Sequence, residues 1–176
     1  MTRDLSAWIE QHAASSPDRV AIRFEGAEIS YRALYARIQS AAGFFHNTHG
    51  IGRGDRVAYL GFNTPECVIV LFACAKLGAV YLPLNWRLAL PELDHVLGHA
   101  DPKVLIADFP HREAAVGLVT GRSECTLIDC ANVVSASADS NAVLMESNFG
   151  GGLDTPLLLV YTAGTTGQPK GAVLPQ

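Results

Sequence analysis

The segment Tyr161-Thr-Ala-Gly-Thr-Thr-Gly-Gln-Pro-Lys-Gly171 is a glycine- and threonine-rich loop that directly follows an apolar run from Leu157 to Tyr161. The apolar run is typical of a short buried strand. In the loop, glycines leave backbone N–H groups accessible, threonines add hydroxyl donors and Lys170 adds a positive charge. Donors arranged around a turn in this way are suited to bind phosphate groups. The sequence therefore predicts a phosphate-binding loop behind this strand.

Two common nucleotide-binding motifs do not fit the loop. A Walker A loop requires Gly-Lys-Ser/Thr five residues after its first glycine, but counting from Gly164 reaches Pro169-Lys-Gly171. A dinucleotide-binding fingerprint is absent from the sequence, and the run Gly150-Gly-Gly152 precedes the predicted strand instead of following it. The alternative interpretation is a surface turn that joins two strands. The density of glycines, hydroxyls and lysine in this one string favours the phosphate loop.

The rest of the chain alternates between helical and extended patterns. Helices are predicted at Asp4–Ala14, Tyr31–His46, Pro65 to about Gly78, and Leu90–Ala100. Strands are predicted at Val20–Phe24 and Ala27–Ser30 as a hairpin, at Val57–Gly61, Ala79–Leu82, Lys103–Ala107 and Leu157–Tyr161, with a further strand opening at Ala172–Leu174. Residues 131–154, rich in Ala, Ser, Asn and Gly, predict an irregular connection with one short strand at 142–145. Strands that alternate with helices indicate an α/β fold with a largely parallel sheet flanked by helices.

The segment from Cys67 to Leu84 is apolar enough to be compared with a membrane span. Lys76 near its centre, with Gly78 and Pro83, argues against a spanning helix. Thr64 at the N-cap followed by Pro65 instead predicts a helix that ends near Gly78. Because this helix is apolar on all sides, we expect it to be buried.

Composition and the remaining reactive residues exclude several classes of function. The net charge is −4 and the basic residues are scattered, which does not suit a nucleic-acid-binding surface. The four cysteines lack zinc-site spacing and predict reduced, buried thiols, and the absence of a secretion-signal pattern predicts a soluble cytoplasmic protein. His95 and His99 lie four apart but are predicted to face solvent, so no metal site is expected. The sequence offers no partner for His111.

The loop and several upstream motifs together resemble the adenylate-forming (AMP-binding) superfamily, over nearly the whole chain. The motifs occur in the family's order: Ser16-Pro-Asp-Arg-Val-Ala21, Ser30-Tyr-Arg-Ala-Leu34, Gly52-Arg-Gly-Asp-Arg-Val-Ala58, Asn63-Thr-Pro-Glu66 and Lys76-Leu-Gly-Ala-Val-Tyr-Leu-Pro-Leu-Asn85. The segment Leu84-Asn-Trp-Arg-Leu88, followed by Pro91-Glu-Leu93, resembles the acyl-CoA synthetase branch. One departure is Ala163, where family members commonly have a serine. That change shifts the expected phosphate contacts to Thr165, Thr166 and backbone amides.

The resemblance implies that residues 1–176 form the first part of the large N-terminal domain of such an enzyme, without the C-terminal domain. The implied reaction joins a small-molecule carboxylic acid to coenzyme A with ATP and Mg²⁺, through an acyl-adenylate. The residues expected to bind the ATP phosphates are Thr162, Ala163, Gly164, Thr165, Thr166, Gly167 and Lys170, and Lys170 is also the candidate catalytic residue. Arg87 is either a contact for coenzyme A phosphates or a surface arginine.

For the 176 residues alone, the resemblance implies no turnover. The alternative is a stand-alone nucleotide-binding or protein-interaction module derived from this fold. Because helices and strands that complete the domain lie outside this stretch in the family, uncovered apolar surface is expected to produce homo-oligomers.

Overall fold

The computed structural model describes residues 5–138, 152–162 and 169–176, and it has the predicted α/β architecture. The helices are α1 (Ser6–Ser15), α2 (Tyr31–His49), α3 (Pro65–Leu77), α4 (Leu90–Ala100), α5 (Arg112–Val119) and α6 (Cys130–Ala138), with a 3₁₀ turn at Phe109–His111. The strands are β1 (Val20–Phe24), β2 (Ala27–Ser30), β3 (Arg56–Leu60), β4 (Val80–Leu84), β5 (Val104–Ala107), β6 (Thr126–Asp129), β7 (Pro156–Thr162) and β8 (Lys170–Pro175).

Six strands form one sheet in the order β6-β5-β3-β4-β7-β8. Neighbouring strands run parallel, except that β8 returns antiparallel to β7. Strands β1 and β2 form a separate antiparallel hairpin, as predicted. The largely parallel sheet is therefore confirmed, and its last strand comes from a hairpin and not from a helical crossover.

The predicted ends of α3 agree with the structure. Thr64 is the N-cap in an extended conformation, although its side chain makes no capping hydrogen bond, and Pro65 occupies the first helical position. The helix ends at Gly78, whose φ of 66° is the left-handed conformation that glycine adopts without strain. Its residues pack on the sheet and on α2, which confirms the prediction of a buried helix. Among the described residues, no helix combines the length and apolar composition needed to cross a bilayer.

The hydrophobic core lies on both faces of the sheet. On β3, Val57 and Tyr59 belong to the cluster formed with α2, α3 and α6, whereas Ala58 and Leu60 belong to the cluster formed with α4 and α5. This alternation follows from the two-residue period of a strand. The molecule thus has three layers, with helices on both faces of a buried sheet.

Three elements were missed or misassigned by the sequence analysis. The irregular connection predicted from residue 131 is wrong in its first part, because α6 extends to Ala138 and buries Val133 against the core. Helix α5 and strand β6 were not predicted at all. The strand predicted at 142–145 lies outside the described residues. The prediction of free thiols is confirmed, with Cys74, Cys125 and Cys130 buried and Cys67 partly buried.

Candidate phosphate-binding edge of the sheet

The carboxyl ends of the parallel strands meet at one edge of the sheet. These ends are Leu60, Leu84, Ala107, Asp129 and Thr162. In open α/β sheets, ligands bind in the crevice outside the carboxyl ends of the strands. The loop predicted to bind phosphate leaves the sheet at this edge, directly after β7.

The β7–β8 hairpin holds the two ends of the predicted loop side by side. Thr162, the last residue of β7, pairs with Lys170, the first residue of β8, and both are exposed. The candidates Ala163, Gly164, Thr165, Thr166 and Gly167 lie outside the described residues. Gly171 pairs with Tyr161 inside the hairpin, so it belongs to the strand and not to the open loop. A hydroxyl and an ammonium group therefore stand next to each other where the loop begins and ends.

Arg87 lies at the same edge, just after β4. Its backbone N–H donates a hydrogen bond to Asn85 Oδ1 at 3.1 Å, and its guanidinium carbon lies 4.2 Å from the ring centroid of Trp86. A guanidinium stacked on an indole is held by a cation–π interaction. Arg87 is exposed, so its N–H groups remain accessible at the carboxyl edge.

An aromatic cluster beside Arg87 was not foreseen from the sequence. The ring centroid of Phe62 lies 5.1 Å from that of Trp86 and 4.9 Å from that of His111. Asp108 accepts hydrogen bonds from His111 Nδ1 at 2.5 Å and from the backbone N–H of Phe62 at 2.9 Å. His111 therefore has a partner, and the available signal was Asp108, three residues earlier, at the end of a strand. Asp108 ties together the loops that follow β3 and β5.

A small cavity of about 200 Å³ opens between β4 and β7 at this edge. Its lining is mostly apolar and consists of Pro83, Leu84, Asn85, Leu88, Val96, Val160 and Tyr161. The hydroxyl of Tyr161 lies 2.5 Å from Nδ1 of His99, and the two groups share a hydrogen bond.

His95 and His99 are both exposed, as predicted. Within residues 5–138, 152–162 and 169–176, no group of three or more His, Cys, Asp or Glu side chains is placed to hold a metal ion.

Cys130 follows the carboxyl end of β6, and its sulfur lies 3.9 Å from the Tyr59 hydroxyl. Burial raises the pKa of the Cys130 thiol to about 11. A thiol with such a pKa is protonated at neutral pH and is a poor nucleophile. Nucleophilic catalysis by this cysteine is therefore not supported.

Comparison with solved structures identifies the class of protein. The N-terminal domain of FACL13 from Mycobacterium tuberculosis, in an inhibitor-bound crystal structure, has a TM-score of 0.85 and 29% identity, covering 99% of this chain and 44% of that chain. The fatty acyl CoA synthetase of the same organism has a TM-score of 0.84 and 27% identity, covering 98% of this chain and 34% of that chain. The fold is that of the N-terminal domain of adenylate-forming enzymes.

Sequence comparison gives the family. Residues 9–176 match the model of the AMP-binding enzyme family, and the chain belongs to that family. It is 38% identical over 179 residues to indoleacetate–CoA ligase of Aromatoleum aromaticum, covering 98% of this chain and 35% of that protein. It is 41% identical over 170 residues to feruloyl-CoA synthase of an Amycolatopsis species, covering 97% of this chain and 33% of that protein. The chain thus spans about a third of the length of these curated relatives.

Proposed function

We propose that this chain is the amino-terminal part of a cytoplasmic acid–thiol ligase of the acyl-CoA synthetase type. In the proposed reaction, a carboxylate attacks the α-phosphate of Mg-ATP, which releases pyrophosphate and forms an acyl-adenylate. The thiol of coenzyme A then attacks the acyl carbon and releases AMP. The names of two relatives, indoleacetate–CoA ligase and feruloyl-CoA synthase, support the reaction class. The 176 residues alone are expected to have no turnover.

The proposal rests on the pairing of Thr162 with Lys170 at the carboxyl edge of the sheet. Side chains paired across two antiparallel strands lie on the same face, so the hydroxyl and the ammonium group can approach one phosphate chain together. Negative charge accumulates on the leaving pyrophosphate, and donors already in place stabilise it without reorganisation. The residues 163–167 would add backbone and hydroxyl donors. Magnesium would enter with ATP as part of the substrate, and no step is assigned to a protein-bound metal.

The test is ATP–pyrophosphate exchange in a protein of the relatives' length that includes this chain, called the complete enzyme below. Lys170→Ala is expected to lower the exchange rate about 100-fold, as removal of a charge-stabilising group does in other enzymes. Lys170→Arg keeps the positive charge and should retain part of the activity. Lys103→Ala removes a lysine from the opposite edge of the sheet and should leave exchange per folded molecule unchanged. An exchange rate unaffected by Lys170→Ala would contradict the proposal.

We further infer that Arg87 contacts the phosphates of coenzyme A. Its exposure and its fixed position over Trp86, at the edge where the loop emerges, support this assignment. Arg87→Ala should raise the KM for coenzyme A several-fold, because one charge-assisted contact contributes about 1 kcal/mol at an exposed site. ATP–pyrophosphate exchange, which does not require the thiol, should be unchanged. Equal KM values for coenzyme A in the two proteins would show that Arg87 is only a surface residue.

A further inference from the structure

The β7–β8 hairpin is fixed to α4 by a contact that phosphate binding itself does not require. Tyr161, the residue before Thr162, shares a hydrogen bond with His99 over a distance of 2.5 Å. Their ring centroids are 5.7 Å apart and the ring planes are nearly perpendicular, at 86°. His99 lies in the last turn of α4, a helix that buries Leu93, Val96, Leu97 and Ala100 in the core. The hairpin is therefore connected to a helix that is itself firmly packed.

The ring of Tyr161 also rests against the returning strand. Tyr161 pairs with Gly171, and a Cβ atom placed on Gly171 would lie 3.2 Å from Cζ of Tyr161 and 3.0 Å from Cδ1 of Leu159. Both distances are shorter than ordinary van der Waals contact, so a side chain at residue 171 would require the Tyr161 ring and the Leu159 side chain to shift by a few tenths of an ångström. Tyr161 precedes Thr162 on β7, and its partner Gly171 follows Lys170 on β8. The Tyr161 ring therefore lies beside the two strand ends from which the loop begins and ends.

The two faces of the hairpin carry different side chains. Successive side chains on a strand point to opposite faces, so Thr162 and Lys170 face away from the side on which Tyr161 meets His99. Backbone pairing between β7 and β4, among the described residues, occurs at Tyr81 with Leu158, and β8 is exposed along its whole length. Near the loop, the hydrogen bond between Tyr161 and His99 therefore adds a polar link between the hairpin and α4 to the packing of Leu159 and Tyr161 against the core.

We propose that Tyr161 and His99 are positioning residues for ATP binding, which fix the angle at which Thr162 and Lys170 leave the sheet. The inference rests on the proposed function, because it assigns a role only through the phosphate contacts of those two residues. Under this proposal, neither Tyr161 nor His99 contacts the nucleotide directly. Their effect should appear in the affinity for Mg-ATP and not in the affinity for the carboxylic acid.

The experiment measures the kinetics of ATP–pyrophosphate exchange in variants of the complete enzyme. Tyr161→Phe keeps the ring against Gly171 and removes the hydroxyl, while His99→Ala removes the other partner. Each change should raise the KM for Mg-ATP about 5-fold, the effect of losing one hydrogen bond. The double variant should show no further increase, because both changes remove the same interaction. The KM for the carboxylic acid should remain as in the unchanged protein.

Two controls separate positioning from a general loss of structure. His99→Gln can still hydrogen-bond to the Tyr161 hydroxyl and should restore most of the affinity for Mg-ATP. His95→Ala removes an exposed histidine one turn earlier on α4 and should have no effect. Thermal unfolding of each variant establishes that the compared proteins are folded. An increase in KM for Mg-ATP that His95→Ala reproduces, or that His99→Gln fails to reverse, would overturn the inference.

Failure of this inference can be distinguished from failure of the proposed function. If Lys170→Ala lowers the exchange rate about 100-fold while Tyr161→Phe and His99→Ala keep the original KM for Mg-ATP, the role of Lys170 in phosphate binding is supported and the positioning role is refuted. If Lys170→Ala leaves exchange unchanged, both proposals are refuted together.

Discussion

Strands β4 and β8 lie two positions apart in the same sheet, but they are held there by different forces. Four of the five residues of β4 are buried, whereas all six residues of β8 are exposed. Strand β4 packs between helices on both faces of the sheet, and burial of its side chains fixes it. Strand β8 depends mainly on backbone hydrogen bonds to β7 and on a few side-chain contacts at its ends. The candidate site lies next to the weakly held strand.

This difference bears on how the loop can work. Segments with little buried apolar surface open at low free-energy cost, and ligand-binding loops are commonly drawn from them. Strand β8 is attached to the sheet through β7, whose Leu157 and Leu159 are buried, so β8 can adjust locally while the parallel strands keep their packing. The comparison can be tested by removing single interactions from each region and measuring the free energy of unfolding.

The largest effect is expected from Leu82→Ala in β4. Leu82 is fully buried, so the substitution leaves a cavity in the core between the sheet and α4. The free energy of unfolding should fall by about 3 kcal/mol, within the range for buried leucines. Urea unfolding of the chain, followed by circular dichroism, gives the value. A loss below about 1 kcal/mol would show that the core is less tightly packed than described.

The next largest effect is expected from alkaline pH, which ionises a thiol in the buried part of the molecule. The pKa of Cys130 is raised from 9.0 to about 11 by burial, so above pH 9 the unfolded chain loses this proton before the folded chain does. The contribution of this thiol to the free energy of unfolding is fully present below pH 9. It decreases as the pH rises, and at pH 11 the free energy of unfolding is lower by about 2 kcal/mol. Urea unfolding between pH 8 and 11 measures the decrease.

Other buried groups contribute in the same direction, since burial also raises the pKa values of Tyr59, Tyr81 and Cys74. Cys130→Ala is therefore the matched variant, and its stability should depend less steeply on pH than that of the unchanged chain. Identical pH dependence in the two proteins would mean that Cys130 does not contribute.

A smaller effect is expected from Gln176→Ala, which releases the end of β8. The side chain of Gln176 accepts a hydrogen bond from the Leu5 backbone N–H at 2.8 Å and donates one to the Ala75 carbonyl at 3.3 Å. Loss of these bonds should lower the free energy of unfolding by about 1 kcal/mol. Gln11→Ala, an exposed position on α1, serves as the control and should change it by less than about 0.5 kcal/mol. Equal effects at the two positions would contradict the anchoring role.

The smallest effect is expected from Leu174→Ala, the counterpart of Leu82→Ala in β8. Leu174 is 48% exposed, so little apolar surface is returned to water when its side chain is shortened. The expected loss is about 0.5 kcal/mol in dilute solution. A loss above 2 kcal/mol that grows with protein concentration would show that a second copy covers β8, as the prediction of homo-oligomers implies.

The central strands and α3 were predictable because their signals are local. Thr64, Pro65 and Gly78 mark the ends of α3 through capping and backbone preferences that act within a few residues. The short apolar runs at β3, β4, β5 and β7 indicate strands buried on both faces. The direction of β8 was not predictable, because an apolar run after a loop is compatible with parallel or antiparallel pairing.

The missed elements depend on contacts between distant parts of the chain. Helix α6 is composed of small residues without charges, a composition that resembles a linker, and its helix is stabilised by packing on α2. The candidate site also depends on contacts between residues that are distant in the sequence. The motif predicted Thr162 and Lys170, but the partnership of Tyr161 with His99 joins residues 62 positions apart and has no local signature.

The two tryptophans of the chain occupy contrasting environments. Trp8 on α1 is 59% exposed, whereas Trp86 lies among Phe62, His111 and the guanidinium of Arg87. A Trp8→Phe protein would therefore emit fluorescence from a single indole at the carboxyl edge. Because that indole touches the charged and aromatic neighbours of the candidate site, its emission would serve as an optical reporter of ligand occupancy without any attached dye.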